Sequence, residues 1–351
     1  MNVTGKIKTL LGLLTLVLFI LSIGSMAQAK GKRLLRFNED RSFKIVQFTD
    51  IQDDEDIDPR TVQLIEAVLD AEKPDLVVFT GDNITGGCET AEDVKTAINN
   101  FAQPVNDREI PWLITFGNHD EDSTDATGVD KDEQLEIYMS YEYNINKVGP
   151  KDVAGTGNMF TFILGSKKYL PVFTIWALDS GKYAPDEIAG QSLDEYPGWD
   201  WIKNNQIAWY VNASKAIEKK LRGSIPGFMF FHIPLWEFDT MWNMKDIVDH
   251  EIVGEKNESV CPGPFNSGLF AALLERGDVK GVFVGHDHVN SYIGNYYGIY
   301  LGYAANAGFG TYGLSGDERD RLRGARVFEL NEDDPENFTT RMVFAADYGI
   351  Q

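Results

Sequence analysis

Four of the five histidines in this chain, His119, His232, His286 and His288, stand directly after apolar runs. Other polar residues occupy the same kind of place. Phe48 leads to Asp50, Phe79 to Asp82, Phe116 to Asn118-His119-Asp120, Phe231 to His232, and Val284 to His286-Asp287-His288. Imidazole, carboxylate and amide oxygen are donors to divalent metals, so the pattern points to metal chemistry. A lone histidine is ordinarily a satisfied structural residue; four of five at such positions are not accounted for that way. Only His250 lies elsewhere.

These residues lie up to 238 positions apart, yet at the ends of strands they could converge. In open α/β sheets ligands bind beyond the carboxyl ends of the strands. The flanking sequence supplies such a sheet. Phe43–Phe48 reads as a strand; Asp58-Pro59 reads as a helix cap with proline at the first helical position. The helix that follows puts Val62, Ile65, Val68 and Leu69 on one face, and Lys73-Pro74 stops it. Leu76–Phe79 is a buried strand, residues from about Glu89 to Phe101 a second helix, and Trp112–Phe116 a third strand. This β-α-β-α-β order predicts parallel strands with helices on their faces. Val172–Leu178, Gly227–Phe231, Gly281–Val284, Ile299–Ala304, Ala325–Leu330 and Thr339–Phe344 predict further strands and a second sheet. Segment 121–170, rich in Asp, Gly and Asn, is expected to cap the site. The predicted class is α/β, an α+β sandwich of two packed mixed sheets flanked by helices, with its site at the C-terminal strand ends.

The chain has 351 residues, 43% of them hydrophobic, enough for a large core. Lys6 and Lys8, an apolar run from Leu10 to Ile23 of about 14 residues, and Ala27-Gln28-Ala29 read as the three parts of a signal peptide over residues 1–29. The expectation is export to a periplasmic or extracellular space, no stable membrane insertion after cleavage, and a single domain over 30–351. Without Lys6 and Lys8 the chain carries 30 basic against 54 acidic residues, a formal charge of −24. Such a surface repels nucleic acid and anionic membranes, so no nucleic-acid partner is expected, and an anionic substrate needs a local cation. Two cysteines, Cys88 and Cys261, form either one disulfide, which export permits, or two inert thiols.

The ordered set Asp50-x-Gln52, Gly81-Asp82, Gly117-Asn118-His119-Asp120, His232 and Gly285-His286-Asp287-His288 resembles the calcineurin-like metallophosphoesterases, in particular the branch related to purple acid phosphatases. The segments KPDLVVFTGDNITG, FFHIPLWEF, NSGLF and DVKGVFVGHDHVN are similar to that branch beyond the ligand positions, and the resemblance covers Phe43 to Val327. It implies a two-metal centre of divalent ions (Mn, Fe, Zn or Mg) with Asp82 as the bridge. Asn118, His232 and His286 would complete one ion, and Asp50, Gln52 and His288 the other. His119 would act on the leaving oxygen of a small phosphate ester, most simply a monoester, with Asp120 orienting it. The attacking group would be a metal-activated water. That agrees with the absence of a Gly-x-Ser-x-Gly elbow and of a Walker loop from the chain.

Two departures qualify the resemblance. Gln52 stands where the family usually has histidine; its amide oxygen is a harder and weaker donor, so the Asp50/Gln52/Asp82/His288 side favours a harder or loosely held metal. The alternative is a degenerate, non-catalytic phospho-ligand-binding protein. Thr85 replaces the tyrosine that purple acid phosphatases place three residues after the bridging aspartate, so neither their colour nor a ferric site is expected. Tyr183, Trp199, Trp236, Phe309 and Tyr312 could form an apolar wall, and Asn266 could touch phosphate, with core packing and loop structure as the plainer readings. The acidic run Asp53, Asp54, Glu55 and Asp56 reads as a solvated loop. Arg319, Arg321, Arg323 and Arg326 read as a solvated face or local ion pairs.

Overall fold

Two sheets carry the strand ends singled out above. The computed structural model describes residues 34–351 apart from Pro197; the leader-like segment 1–29 lies outside the described residues. The strands are β1 (Ser42–Phe48), β2 (Leu76–Thr80), β3 (Trp112–Thr115), β4 (Met159–Leu164), β5 (Pro171–Ala177), the short hairpin β6 (Glu187–Ile188) and β7 (Gln191–Ser192), β8 (Gly227–Phe230), β9 (Val279–Val284), β10 (Ile293–Tyr296), β11 (Ile299–Tyr303), β12 (Gly324–Asn331) and β13 (Phe338–Phe344). One sheet runs β13-β12-β1-β2-β3 and the other β10-β11-β9-β8-β5-β4. Strands β1, β2 and β3 are parallel to one another, as are β5, β8, β9 and β11, while β12, β13, β4 and β10 pair antiparallel. The sheets are therefore mixed, with the parallel strands along one side of the first sheet and at the centre of the second.

The two-residue period of the strands sorts their side chains into layers. On β1, Phe43 and Ile45 face the other sheet, where they join Phe173, Ile175, Phe228, Phe230 and Phe283 in one buried cluster. The rings of Phe283 and Phe328 meet there at 4.4 Å between centroids. Val46 and Phe48, on the opposite face of β1, pack on helices Pro59–Glu72 and Ala91–Asp107. The second sheet's outer face, with Trp176, Met229 and Val282, packs on helices Asn204–Leu221 and Leu269–Arg276 through Tyr210, Leu269 and Leu273. No helix among the described residues is long and apolar enough to cross a membrane.

Two expectations need correction. The second helix does not end near Phe101 but runs from Ala91 to Asp107, because Phe101, Ala102 and Val105 continue its buried face; Pro104 is carried inside it. Segment 121–170 is not a cap as a whole. It contains the helix Lys131–Ser140 and β4, the edge strand of the second sheet. The Asp58 cap and Pro59 start the first helix as expected, Asp58 accepting from the Arg60 backbone N–H.

Candidate metal centre

Strands β1, β2, β3, β8 and β9 each run out into a turn that carries the ligand-type residues. Asp50, Gln52, Asp82 and His286 all adopt positive φ, at 51°, 43°, 47° and 74°. Non-glycine residues rarely do so, and such strain persists where the surroundings fix it, often at functional sites. The turns are laced together: the Asp50 N–H donates to Gly81 O, and the Gln52 N–H to Asp82 O. The crowding requires glycine at two places. A Cβ on Gly81, whose φ is +84°, would lie 2.7 Å from His232 Cβ, and one on Gly117 would lie 2.2 Å from Asp82 Oδ1.

The result is two buried donor groups that share one carboxylate, Asp82-His232-His286 and Asp50-Asp82-His288, each with its ligand atoms within 4.8 Å of one another. His232 Nε2 lies 3.0 Å from Asp82 Oδ2 and 3.1 Å from Asn118 Oδ1, while its Nδ1 is 2.8 Å from Thr80 O. His288 Nε2 lies 3.4 Å from Asp50 Oδ1. His286 Nε2 is buried without a hydrogen-bond partner among the described residues. Orphaned buried polar atoms are costly, and a cation accepting an imidazole nitrogen relieves that cost. The donor set fits a pair of divalent ions.

Charge and burial shape how these groups hold protons. Burial drives Asp50 up to about 7, the His232 charge opposing and the Asp82 charge adding. Burial would raise Asp82 too, but His232 and His119 outweigh it and keep that carboxyl below its ordinary range. Burial would lower His232, yet Asp82 and Asp50 lift it to about 9. His286 falls well below the ordinary imidazole value through burial and the His232 charge, and burial takes His288 down to about 3. Both are thus neutral and ready to donate a lone pair.

Gln52 lies on the Asp50–His288 side. Its Oε1 accepts a 2.7 Å hydrogen bond from the Thr311 hydroxyl, which is also 3.3 Å from His288 Nδ1. The next residue, Tyr312, stacks on His288 with ring centroids 4.0 Å apart.

His119 lies at the mouth of this cluster. Its backbone N–H donates to Asp82 Oδ1 at 2.8 Å, and its Nδ1 is 2.5 Å from Asp122 Oδ2. Burial would lower its pKa; the bond to Asp122 and the Asp82 charge prevail and raise it. The expectation that Asp120 orients His119 is corrected here. Asp120 accepts the backbone N–H groups of Gly117, Asn83 and Ile84, so it braces the turns beneath Asp82 and Asn118. Burial, then the Asp82 charge, carries its carboxyl up to about 6. Asp287, between the two histidines, accepts from Tyr303 Oη and the Cys261 N–H and is structural.

Sequence reasoning missed Asp122 and Thr311, polar loop residues with no distinguishing signal. Of the five proposed wall residues, Trp199 packs edge-on against His286 at 4.6 Å, Tyr183 donates to Asp122, and Tyr312 covers His288. Phe309 is buried beneath Arg60 in the core, and Trp236 donates to Gly263 O. Asn266 does not offer a free amide: it donates to Glu237 and caps Gly268. Of the arginines, Arg321 and Arg323 make the local ion pairs expected, on Glu318 and Asp320. Arg323 is buried and donates to Thr311 O and Tyr312 O, Arg326 is buried on Tyr303 O and Ser291 O, and Arg321 pairs with Glu255. Asp53 holds the Asp58 N–H, and the acids after it are surface residues. Cys88 and Cys261 are both free thiols.

A family described as calcineurin-like phosphoesterase matches residues 43–290. An Arabidopsis thaliana protein named "Probable inactive purple acid phosphatase 14" is 35% identical over 318 residues, covering 82% of this chain and 75% of that one. The Saccharomyces cerevisiae protein "Phosphatase DCR2" is 32% identical over 293 residues, 77% of this chain and 48% of its own length. Among solved structures, "GAP50 the anchor in the inner membrane complex of Plasmodium" superposes with a TM-score of 0.53 at 14% identity, covering 88% of this chain and 86% of that one.

Proposed function

Since the chain belongs to the calcineurin-like phosphoesterase family, we propose that it is an exported metal-dependent phosphoesterase acting on small phosphate esters, monoesters by preference. The observation that carries this reading is the meeting of two buried donor groups at Asp82. In this reading Asp82 would be shared by two ions; Asn118, His232 and His286 would hold one, and Asp50, Gln52 and His288 the other. Ions bound there would supply Lewis-acid charge and the means to activate a water. The protein's own work is to fix the donors, exclude bulk water from the buried cluster, and set His119 beside the leaving oxygen. Trp199 and Tyr312 limit how His286 and His288 can turn. The family's phosphoester chemistry and the strongly acidic chain both favour a small anionic substrate bound through the metals rather than a nucleic acid. Residues 1–29 act as the export signal and 30–351 as one domain in this proposal; N-terminal sequencing of the exported protein tests that part.

Elemental analysis of the purified protein, alongside hydrolysis of an aryl phosphate with and without added Mn, tests the main reading. Two ions per chain, or one rising to two as Mn restores turnover, is the expected result. A second reading is a phospho-ligand-binding protein without turnover. It is favoured by the Gln52 oxygen already accepting from Thr311, and by the word "inactive" in the names of plant relatives. One tight ion and no turnover with Mn, Mg or Zn would select it.

A further inference from the structure

His119 is held at two points. Its main chain is tied to Asp82, and its ring is tied to Asp122, three residues on, at 2.5 Å. Asp122 is in turn gripped from a distant segment. Tyr183 Oη donates to both of its oxygens, at 3.1 and 3.0 Å, and Lys182 Nζ lies 3.4 Å from Oδ1. Lys182 also donates to Glu121 O, so the grip covers both side chain and main chain of that turn. With Nδ1 engaged in this way, His119 Nε2 has no protein hydrogen-bond partner among the described residues.

Tyr183 has a second attachment. Its backbone pairs with that of Trp199, and the two rings lie 5.8 Å apart. The pair forms the root of the excursion 184–198 that carries the β6–β7 hairpin. Trp199 packs on His286, so the same root touches one metal-side histidine and the partner of His119.

We propose that Asp122 and Tyr183 are positioning residues that act through His119, holding its Nδ1 so that Nε2 is presented to the leaving oxygen of the ester. This rests on the phosphoesterase reading and on the place of His119 within it. The arrangement matches a general logic in which an imidazole is useful only when a third group fixes its ring. Its consequence is a dependence on leaving group. A departing nitrophenolate needs little help from a hydrogen-bond donor, whereas a departing phenolate or alkoxide needs more.

The test uses the full metal-loaded protein on 4-nitrophenyl phosphate and phenyl phosphate, with Asp122→Asn, Tyr183→Phe, His119→Gln and the Asp122→Asn/His119→Gln double variant. Asp122 and Tyr183 are partly exposed, so both single changes leave the core intact, and metal content and melting temperature check that. Asp122→Asn is expected to lower kcat on phenyl phosphate by about tenfold to a hundredfold, and on the nitrophenyl ester by much less, with KM unchanged. Tyr183→Phe follows in the same direction with a smaller loss. The double variant is no slower than His119→Gln, because Asp122 has no other route to the reaction. A readout apart from turnover is the 15N spectrum of the His119 ring in metal-free protein, where Asp122→Asn shifts the Nδ1 resonance. Equal slowing of both esters, additive losses in the double variant, or an unmoved Nδ1 resonance overturns the positioning role while the phosphoesterase reading stands. A wild-type protein that turns over neither ester under Mn, Mg or Zn overturns both.

Discussion

The two sides of the cluster are built with different stringency. On the Asn118–His232–His286 side, His232 is fixed from behind by Thr80 O, His286 is packed by Trp199, and His286 Nε2 has no protein partner among the described residues. On the Asp50–Gln52–His288 side, Gln52 gives its oxygen to Thr311, and His288 Nδ1 reaches Tyr312 O only at 3.4 Å. The first side is richer in imidazole and held by well-made contacts. The second is richer in oxygen and depends on a loop, residues 309–313, that comes from the far end of the chain. A nitrogen-rich, braced side suits a tightly held ion; an oxygen-rich side held by a loop suits a harder ion that exchanges.

The largest effect should come from the residue that belongs to both sides. Asp82→Ala is expected to strip both ions and to cut kcat/KM by roughly 10³-fold or more, since several kcal/mol of charge stabilisation are lost. Elemental analysis and aryl phosphate hydrolysis read this directly. Retention of one ion in that variant would break the idea of a shared carboxylate.

Proton competition separates the sides next. His286 and His288 are already neutral, so the protons that a metal must displace sit on His232 and Asp50. His232, raised to about 9, keeps its proton up to that pH. Asp50, raised to about 7, loses its own two units earlier. Affinity therefore rises with pH on both sides, by at least about tenfold between pH 6 and 8 overall. It levels off near 7 on the Asp50 side and continues upward on the His232 side. Calorimetric titration of metal-free protein in buffers of different ionisation enthalpy measures the protons released. Affinity that is flat in pH would contradict these proton assignments.

A smaller change probes the loop. Thr311→Val removes the hydroxyl that holds Gln52 and borders His288 Nδ1. Outer-shell losses of this kind cost about tenfold in affinity, and only the oxygen-rich side should weaken. Equal weakening of both ions would mean that the loop supports the site as a whole. Smallest of all, Gln52→His should leave the first ion alone and shift the second towards Zn over Mn by a few-fold, because a nitrogen donor replaces an amide oxygen. Competition between Mn and Zn followed by metal analysis checks the direction.

Much of this was legible before any tertiary structure. The strand ends at Asp50, Asp82, Asn118, His232 and His286 could be read because an apolar run followed by a short polar stretch is a local signal. The first helix was legible because Asp58-Pro59 is a local start. Strand β4 was not, since Met159–Leu164 sits among glycines and asparagines that read as a loop. The extension of the second helix past Phe101 was hidden by Gln103-Pro104, which reads as a stop until Val105 is seen to be buried.

The sequence by itself determined which residue types would meet, because strand ends bring them to one edge whatever the details of the turns. Only the tertiary structure decided which neighbour each one took. Asp120 and Asp122 are two positions apart with the same side chain, yet one is spent on three backbone N–H groups and the other on His119. Thr311 reaches Gln52 across 259 residues of chain. Hydrogen bonds of that kind depend on turn dihedrals and on packing between distant loops, and neither is written in local periodicity.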